Sequence, residues 1–258
     1  MAATLAGVAA VLLACTARAE IPPFYSLGTR PESDVYAVGV LYFNAPLYAG
    51  AEARKTIVIP SATVIMAQGF FADVISGVGF NFSTDTRFEY GFRATAGVGR
   101  EEPASLHGLG KIPRTVNVGG FANYNATDRW QLQSSARYGS GYDRDGLLID
   151  VGTSYDVFKQ GPASVTVDAS ASYADRHYMQ SFYGVSAGQA LASGYSQYSP
   201  QAGQQWATAG LSVTAPVSKN ALAYVSLEYT HMTGNSASSP YVARRDSTAI
   251  EATVVFGF

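Results

Sequence analysis

The chain is 258 residues long and nearly neutral, with 17 Lys and Arg against 19 Asp and Glu, and only 14% of its residues are charged. That balance offers no case for nucleic-acid binding, which calls for clustered basic charge. A single cysteine excludes a disulfide framework, and beyond the first 20 residues no apolar run approaches the roughly 20 residues of a membrane-spanning helix.

The first element is the short apolar run Leu5–Cys15, followed by Ala17-Arg18-Ala19 and Glu20. An A-x-A site behind a short apolar run predicts a secretory signal peptide over 1–19, leaving 20–258 as one domain. No Lys or Arg precedes the run. Leu12-Leu13-Ala14-Cys15 also lies close to a lipoprotein signal, which would leave Cys15 lipidated and first in the mature chain.

From there the dominant signal is period two. In Arg87–Val98 the even positions are Phe88, Tyr90, Phe92, Ala94, Ala96 and Val98, against Arg87, Glu89, Gly91, Arg93, Thr95 and Gly97. Ser164–Tyr173, Trp206–Ala215 and Ala221–Thr230 alternate in the same way. Alternation of this length predicts strands with one apolar and one polar face. In chain order the predicted strands are 34–43, 54–66, 69–75, 76–83, 87–98, 113–124, 129–139, 146–157, 163–174, 205–215, 220–230 and 247–258. Twelve strands is an even number. The second pair, 69–75 and 76–83, is short, and 70–82 could instead be one bulged strand; ten strands is the fallback count.

The in-strand charges Arg87, Glu89, Arg93, Arg137, Asp150, Asp168, Glu228 and Glu251 all fall opposite the apolar series. In a membrane barrel that opposite face is the lumen, because a lipid-facing Arg or Lys at mid-bilayer costs about 2–4 kcal/mol. A closed barrel is also the only strand structure that pairs every backbone group in lipid. The predicted fold is therefore all-β, a transmembrane antiparallel β-barrel in the cell outer membrane. The lumen charges are read as structural, or as selectivity determinants if water passes.

Link lengths set the orientation. Short links at 83–86, 125–128, 159–162 and 216–219 alternate with long ones at 100–112, 175–205 and 231–246, as short periplasmic turns alternate with long extracellular loops. The compact 140–145 link joins the long set by parity. Trp130, Tyr138, Tyr155, Tyr173, Tyr229 and Phe258 sit near strand ends on the apolar face, where aromatic rings suit the membrane interface. The last strand alternates Ile250, Ala252, Val254, Phe256 and Phe258 with Glu251, Thr253, Val255 and Gly257. Its Phe256 and terminal Phe258 look like the signal read by the barrel-insertion machinery.

Catalytic and metal chemistry find little support. The three histidines His107, His177 and His231 are scattered, without a metal-ligand spacing. Asp175, His177 and Ser181 could be drawn as a hydrolytic triad, but no fixed-spacing motif supports it. The charged runs Arg100-Glu101-Glu102 and Arg244-Arg245-Asp246 are expected to be solvated loop tips. No catalytic residue, cofactor or metal is expected.

Two regions carry more than barrel statistics. Phe182-Tyr183-Gly184-Val185-Ser186-Ala187-Gly188-Gln189-Ala190, then Ala192-Ser193-Gly194 and Tyr198, resembles a segment of the MipA/OmpV family, the MltA-interacting protein family. Leu222–Phe258 is similar to that family's closing region, with Gly234-Asn235 and Ser238-Ser239-Pro240 before the last strand. Pro46-Leu47-Tyr48-Ala49-Gly50 with Pro60 sits where the family has its proline-bearing first hairpin. The resemblance implies a barrel of the twelve-strand class and a non-enzymatic scaffold. Its implied partners are a lytic transglycosylase and a penicillin-binding protein, two peptidoglycan-remodelling enzymes. A surface adhesin or a small porin-like channel remains the alternative, the former through the long Tyr- and Ser-rich 175–205 loop.

Overall fold

The computed structural model describes residues 23–257 apart from Val98. The predicted signal peptide, Cys15 and Phe258 lie outside the described residues. The described chain forms twelve antiparallel strands closed into a barrel, each beside its sequence neighbours, with β1 meeting β12. They are β1 (Val35–Pro46), β2 (Arg54–Ile65), β3 (Phe70–Asp73), β4 (Gly77–Asn81), β5 (Phe88–Gly97), β6 (Thr115–Asn125), β7 (Trp130–Ser140), β8 (Gly146–Gln160), β9 (Ala163–Ala174), β10 (Gly203–Ser218), β11 (Ala221–Met232) and β12 (Asp246–Gly257). Closure runs from Ala37 opposite Gly257 to Asn44 opposite Ile250.

Alternation sets the two faces. In β5, Phe88, Tyr90 and Phe92 are exposed on the outer wall while Glu89 and Arg93 are buried inside. Trp130, Tyr138, Tyr155, Tyr173 and Tyr229 are all exposed on that outer wall. The hairpin β3–β4 departs from the pattern. Its strands of four and five residues are too short for a crossing, which takes about 9–11. It is nonetheless two strands and not one bulged strand, so the count is twelve. Its turn bends inward, where Val74 packs against Leu41, Phe43 and Ile59. Asp73 holds the turn by accepting the Ile75 and Ser76 amides and the Thr63 hydroxyl.

The lumen is filled from the short-turn end by the segment before β1. Arg30 donates to the Ala67 carbonyl in the β2–β3 turn, and Asp34 accepts the Ala67 amide. Deeper in, Tyr25 is fully buried and stacks on Phe121 at 4.2 Å between ring centroids, with Phe71 at 4.9 Å. Inward glycines make the room. A Cβ on Gly91 would press on the Phe121 ring, and one on Gly152 would press on Phe24. Replacing Tyr25 by Ala removes the centre of this cluster and is expected to cost about 3 kcal/mol. The expected readout is a lower urea midpoint for the refolded barrel, with unchanged strand content by circular dichroism.

Candidate functional site

Seven of the eight charges expected on the lumen face lie in strands, and five of them are buried: Glu89, Arg93, Arg137, Asp150 and Glu251. Asp168 and Glu228 are half-buried. Arg87 differs. It falls one residue ahead of β5, is exposed, and reaches the rim of the short-turn mouth, because the strand begins only at Phe88.

The register sorts these charges into two walls. Gly119 lies between Arg93 and Arg137, placing both guanidiniums at one level on β5 and β7. Gly210 lies between Asp168 and Glu228 on the far side, with Glu251 beyond on β12. The basic wall carries its own counter-charge, since Arg137 Nη2 meets Asp150 Oδ2 at 2.9 Å with both side chains almost wholly buried. Arg93 donates to the Ser135 hydroxyl at 3.2 Å and to the Pro23 carbonyl of the inserted segment. Glu89 accepts from Asn123, Asn125 and Gln131 at 3.2–3.3 Å. Asn123 in turn donates to the Tyr25 carbonyl. Two of the predicted lumen charges thus hold the inserted segment, Arg93 directly and Glu89 through Asn123.

The long-loop end is capped by its loops. Two helices form in the 175–202 loop, α1 (Arg176–Tyr183) and α2 (Ala187–Ser193), and a short α3 (Gly234–Ala237) follows β11. Asp175 caps α1 by accepting the Tyr178 amide, and a Ser186–Gln189 capping box starts α2. Tyr178, Met179 and Tyr183 pack with Leu148, Trp206, Met232 and Ala237. Beside them Tyr48, Leu106, Leu109, Val185 and Tyr241 form a second cluster drawn from four loops.

Arg100 lies at the join of these clusters, contrary to the expectation of a solvated loop tip. It is buried, donates to the Phe182 carbonyl and to Tyr241 Oη at 2.6 Å, and lies 5.1 Å from the Tyr241 ring centroid. Burial pushes the Tyr241 phenol well above its ordinary value, against the pull of the Arg100 charge. It therefore stays neutral and donates to the Phe182 carbonyl. The Phe182 carbonyl, the Tyr241 phenol and the Tyr241 ring stand where water would otherwise meet part of this guanidinium, and they tie three loops together through it.

Asp175, His177 and Ser181 each have other partners in the structure. Asp175 caps a helix, His177 meets Asp145 at 2.8 Å, and Ser181 accepts the Tyr142 amide. His231 pairs with Asp246, and His107 stands 4.0 Å from Glu102. No group of three or more His, Cys, Asp or Glu able to hold a metal occurs among the described residues.

The short-turn end stays open. Between the inserted segment and the ends of β5–β8 lies a cavity of about 720 Å³. Arg87, Arg129 and Lys159 face Glu89, Asp128 and Asp156 around it, with Asn125, Gln131 and Thr127 between them. Period two marked Glu89 as inward, but the cavity itself depends on where residues 28–29 sit, and no local pattern signals that.

The buried pair gives a direct test. Arg137→Met leaves Asp150 as an uncompensated buried charge and is expected to cost about 3–5 kcal/mol. Adding Asp150→Leu to it should recover most of the loss. Urea midpoints of the refolded variants measure both, and a double variant as weak as the single would contradict the pairing.

A family model described as MltA-interacting protein MipA matches residues 38–258. No curated protein matches the chain. Among solved structures, the COG4313 outer membrane channel from Pseudomonas putida F1 is similar at 8% identity and a TM-score of 0.48, over 93% of this chain and all of that one. The NanC porin is similar at 10% identity and a TM-score of 0.41, over 86% of this chain and 98% of its own. With the family model spanning nearly all of the described barrel, this outer-membrane β-barrel belongs to the MltA-interacting protein MipA family.

Proposed function

We propose that the chain is a non-catalytic, non-conducting scaffold that docks peptidoglycan-remodelling enzymes at its periplasmic mouth. A lytic transglycosylase is the first partner, and a penicillin-binding protein joins it. The observation that carries this reading is the contrast between the two ends. The long-loop end is sealed by packed helices and aromatic clusters, while the short-turn end presents an open, mixed-charge cavity. Short turns belong on the periplasmic side, where murein and its enzymes are. The family description names an interaction with MltA and supports the choice of partner.

The in-strand charges then serve chiefly to hold the filled lumen together. Phe256 is exposed on the outer wall of β12, opposite Val38 and Ala221. It fits a strand presented to the barrel-insertion machinery, a role assigned jointly to Phe256 and Phe258.

Planar-bilayer recordings of the refolded protein should show no conductance steps. Steady steps from the intact chain would favour the channel reading instead. Deleting residues 23–33 removes the inserted segment but leaves the cap, so it is expected to widen the periplasmic cavity without opening a pore. For the scaffold itself, the immobilised barrel should retain a lytic transglycosylase from periplasmic extract under mild cross-linking. The triple variant Arg87→Glu, Arg129→Glu, Lys159→Glu should retain at least about tenfold less, since charge complementarity guides such docking. Recovery of no transglycosylase by the unaltered barrel would sink the proposal.

A further inference from the structure

Under the cap one buried cation is satisfied on one side only. Arg100 is 5% exposed, and its Nη1 donates to two protein oxygens, the Phe182 carbonyl at 3.1 Å and Tyr241 Oη at 2.6 Å. The same carbonyl also accepts from the Tyr241 phenol, so both of its lone pairs are in use. Arg100 Nε and Nη2 are buried and meet no acceptor among the described residues. These two nitrogens form the side-on edge of the guanidinium, where two N–H groups point the same way. That fork is the part of an arginine best shaped to grip an anion.

The charge on this guanidinium also lacks a counter-charge. Glu101 and Glu102, next in the chain, are exposed and turn to other partners, Glu101 to Lys111 at 2.9 Å and Glu102 to the Gly108 amide at 2.7 Å. The Tyr241 phenol donates to a carbonyl and is therefore neutral, and its ring centroid lies 5.1 Å from the guanidinium carbon. A ring face and two neutral oxygens soften the burial of a full charge but leave the charge in place. A buried ion is well tolerated only when it is paired. Arg100 also lines a cavity of about 20 Å³ beneath the cap. Tyr48, Ala49, Tyr178, Phe182 and Trp206 form other parts of its wall, and among the described residues no carboxylate lines it. A space of that size takes about one water or one monatomic ion, and excludes a lipid, a sugar or a peptide. Water would accept the free N–H groups, yet it brings no charge.

We infer that this cavity holds one small monovalent anion of chloride size, gripped by the Nε–H and Nη2–H groups of Arg100. The ion lies where the loops of the cap converge: Tyr48 comes from the β1–β2 link, Arg100 follows β5, Phe182 belongs to α1 and Tyr241 precedes β12. It supplies the counter-charge that lets these loops close over a cation. Cap closure and anion binding are then linked, so each strengthens the other. The site lies at the opposite end of the barrel from the mouth assigned to docking and stands independently of that assignment.

The test uses the full chain refolded in detergent, in sodium chloride or sodium gluconate at equal ionic strength. The urea midpoint should rise with chloride and level off, as one-site binding to the folded state requires. Cleavage of the 175–202 loop by added protease should slow about tenfold at a chloride concentration ten times the dissociation constant. Arg100→Met removes the donors, and Ala49→Leu fills the cavity while leaving the cation. Both variants should lose the chloride response, whereas a general salt effect would persist in them. Crystals grown from bromide should show an anomalous peak within hydrogen-bonding reach of Arg100 Nε and Nη2. Equal midpoints and equal cleavage in the two salts would overturn the inference. So would a chloride response that survives in both variants, or a water in place of bromide at that edge.

Discussion

Everything in this molecule depends on one requirement: inside lipid every backbone amide and carbonyl must be paired within the protein. Closure of β1 on β12 meets it for most of the wall. It also dictates the side chains, since a strand with lipid on one side must turn its polar residues inward. The outer row Phe88, Tyr90, Phe92 and the inner pair Glu89, Arg93 are two consequences of the same ladder.

A polar interior then has to be satisfied in its turn. Burying Arg93, Arg137, Glu89 and Asp150 is tolerable only because each meets a counter-charge or several hydrogen-bonding partners. Part of that satisfaction comes from the chain itself. The segment before β1 brings the Pro23 and Tyr25 carbonyls and the Tyr25 ring into the space left by inward glycines. At the other end Arg100 is buried in the cap, where the Phe182 carbonyl and the Tyr241 phenol accept hydrogen bonds from its guanidinium. The interior therefore contributes cohesion, and the surface left for partners is the short-turn mouth.

The short β3–β4 hairpin is where the requirement is met least by the protein alone. Its inward turn buries Val74 on the lumen side against Leu41, Phe43 and Ile59, and the hairpin pairs with β2 and β5 over only part of their length.

Much of the architecture was legible in the residues. Period two marked the long strands from β5 onward and the inward side of Arg93, Arg137, Asp150 and Glu251, and link lengths gave the parity, while the short β3–β4 pair left the count open between twelve and ten. Period two did so because alternation is a local property, enforced at every residue by the contrast between lipid and lumen. What local pattern could not carry was anything made by distant segments meeting. That Arg100 is buried follows from Phe182 and Tyr241, far along the chain. That the 175–202 loop folds into helices over the mouth follows from Leu148, Trp206 and Met232 standing beneath it. The sequence alone determined a barrel, its faces and its family. Only the tertiary structure decided that the lumen is filled, that one mouth is sealed and the other open, and that the β3–β4 turn bends inward, because each depends on contacts between residues that no periodicity relates.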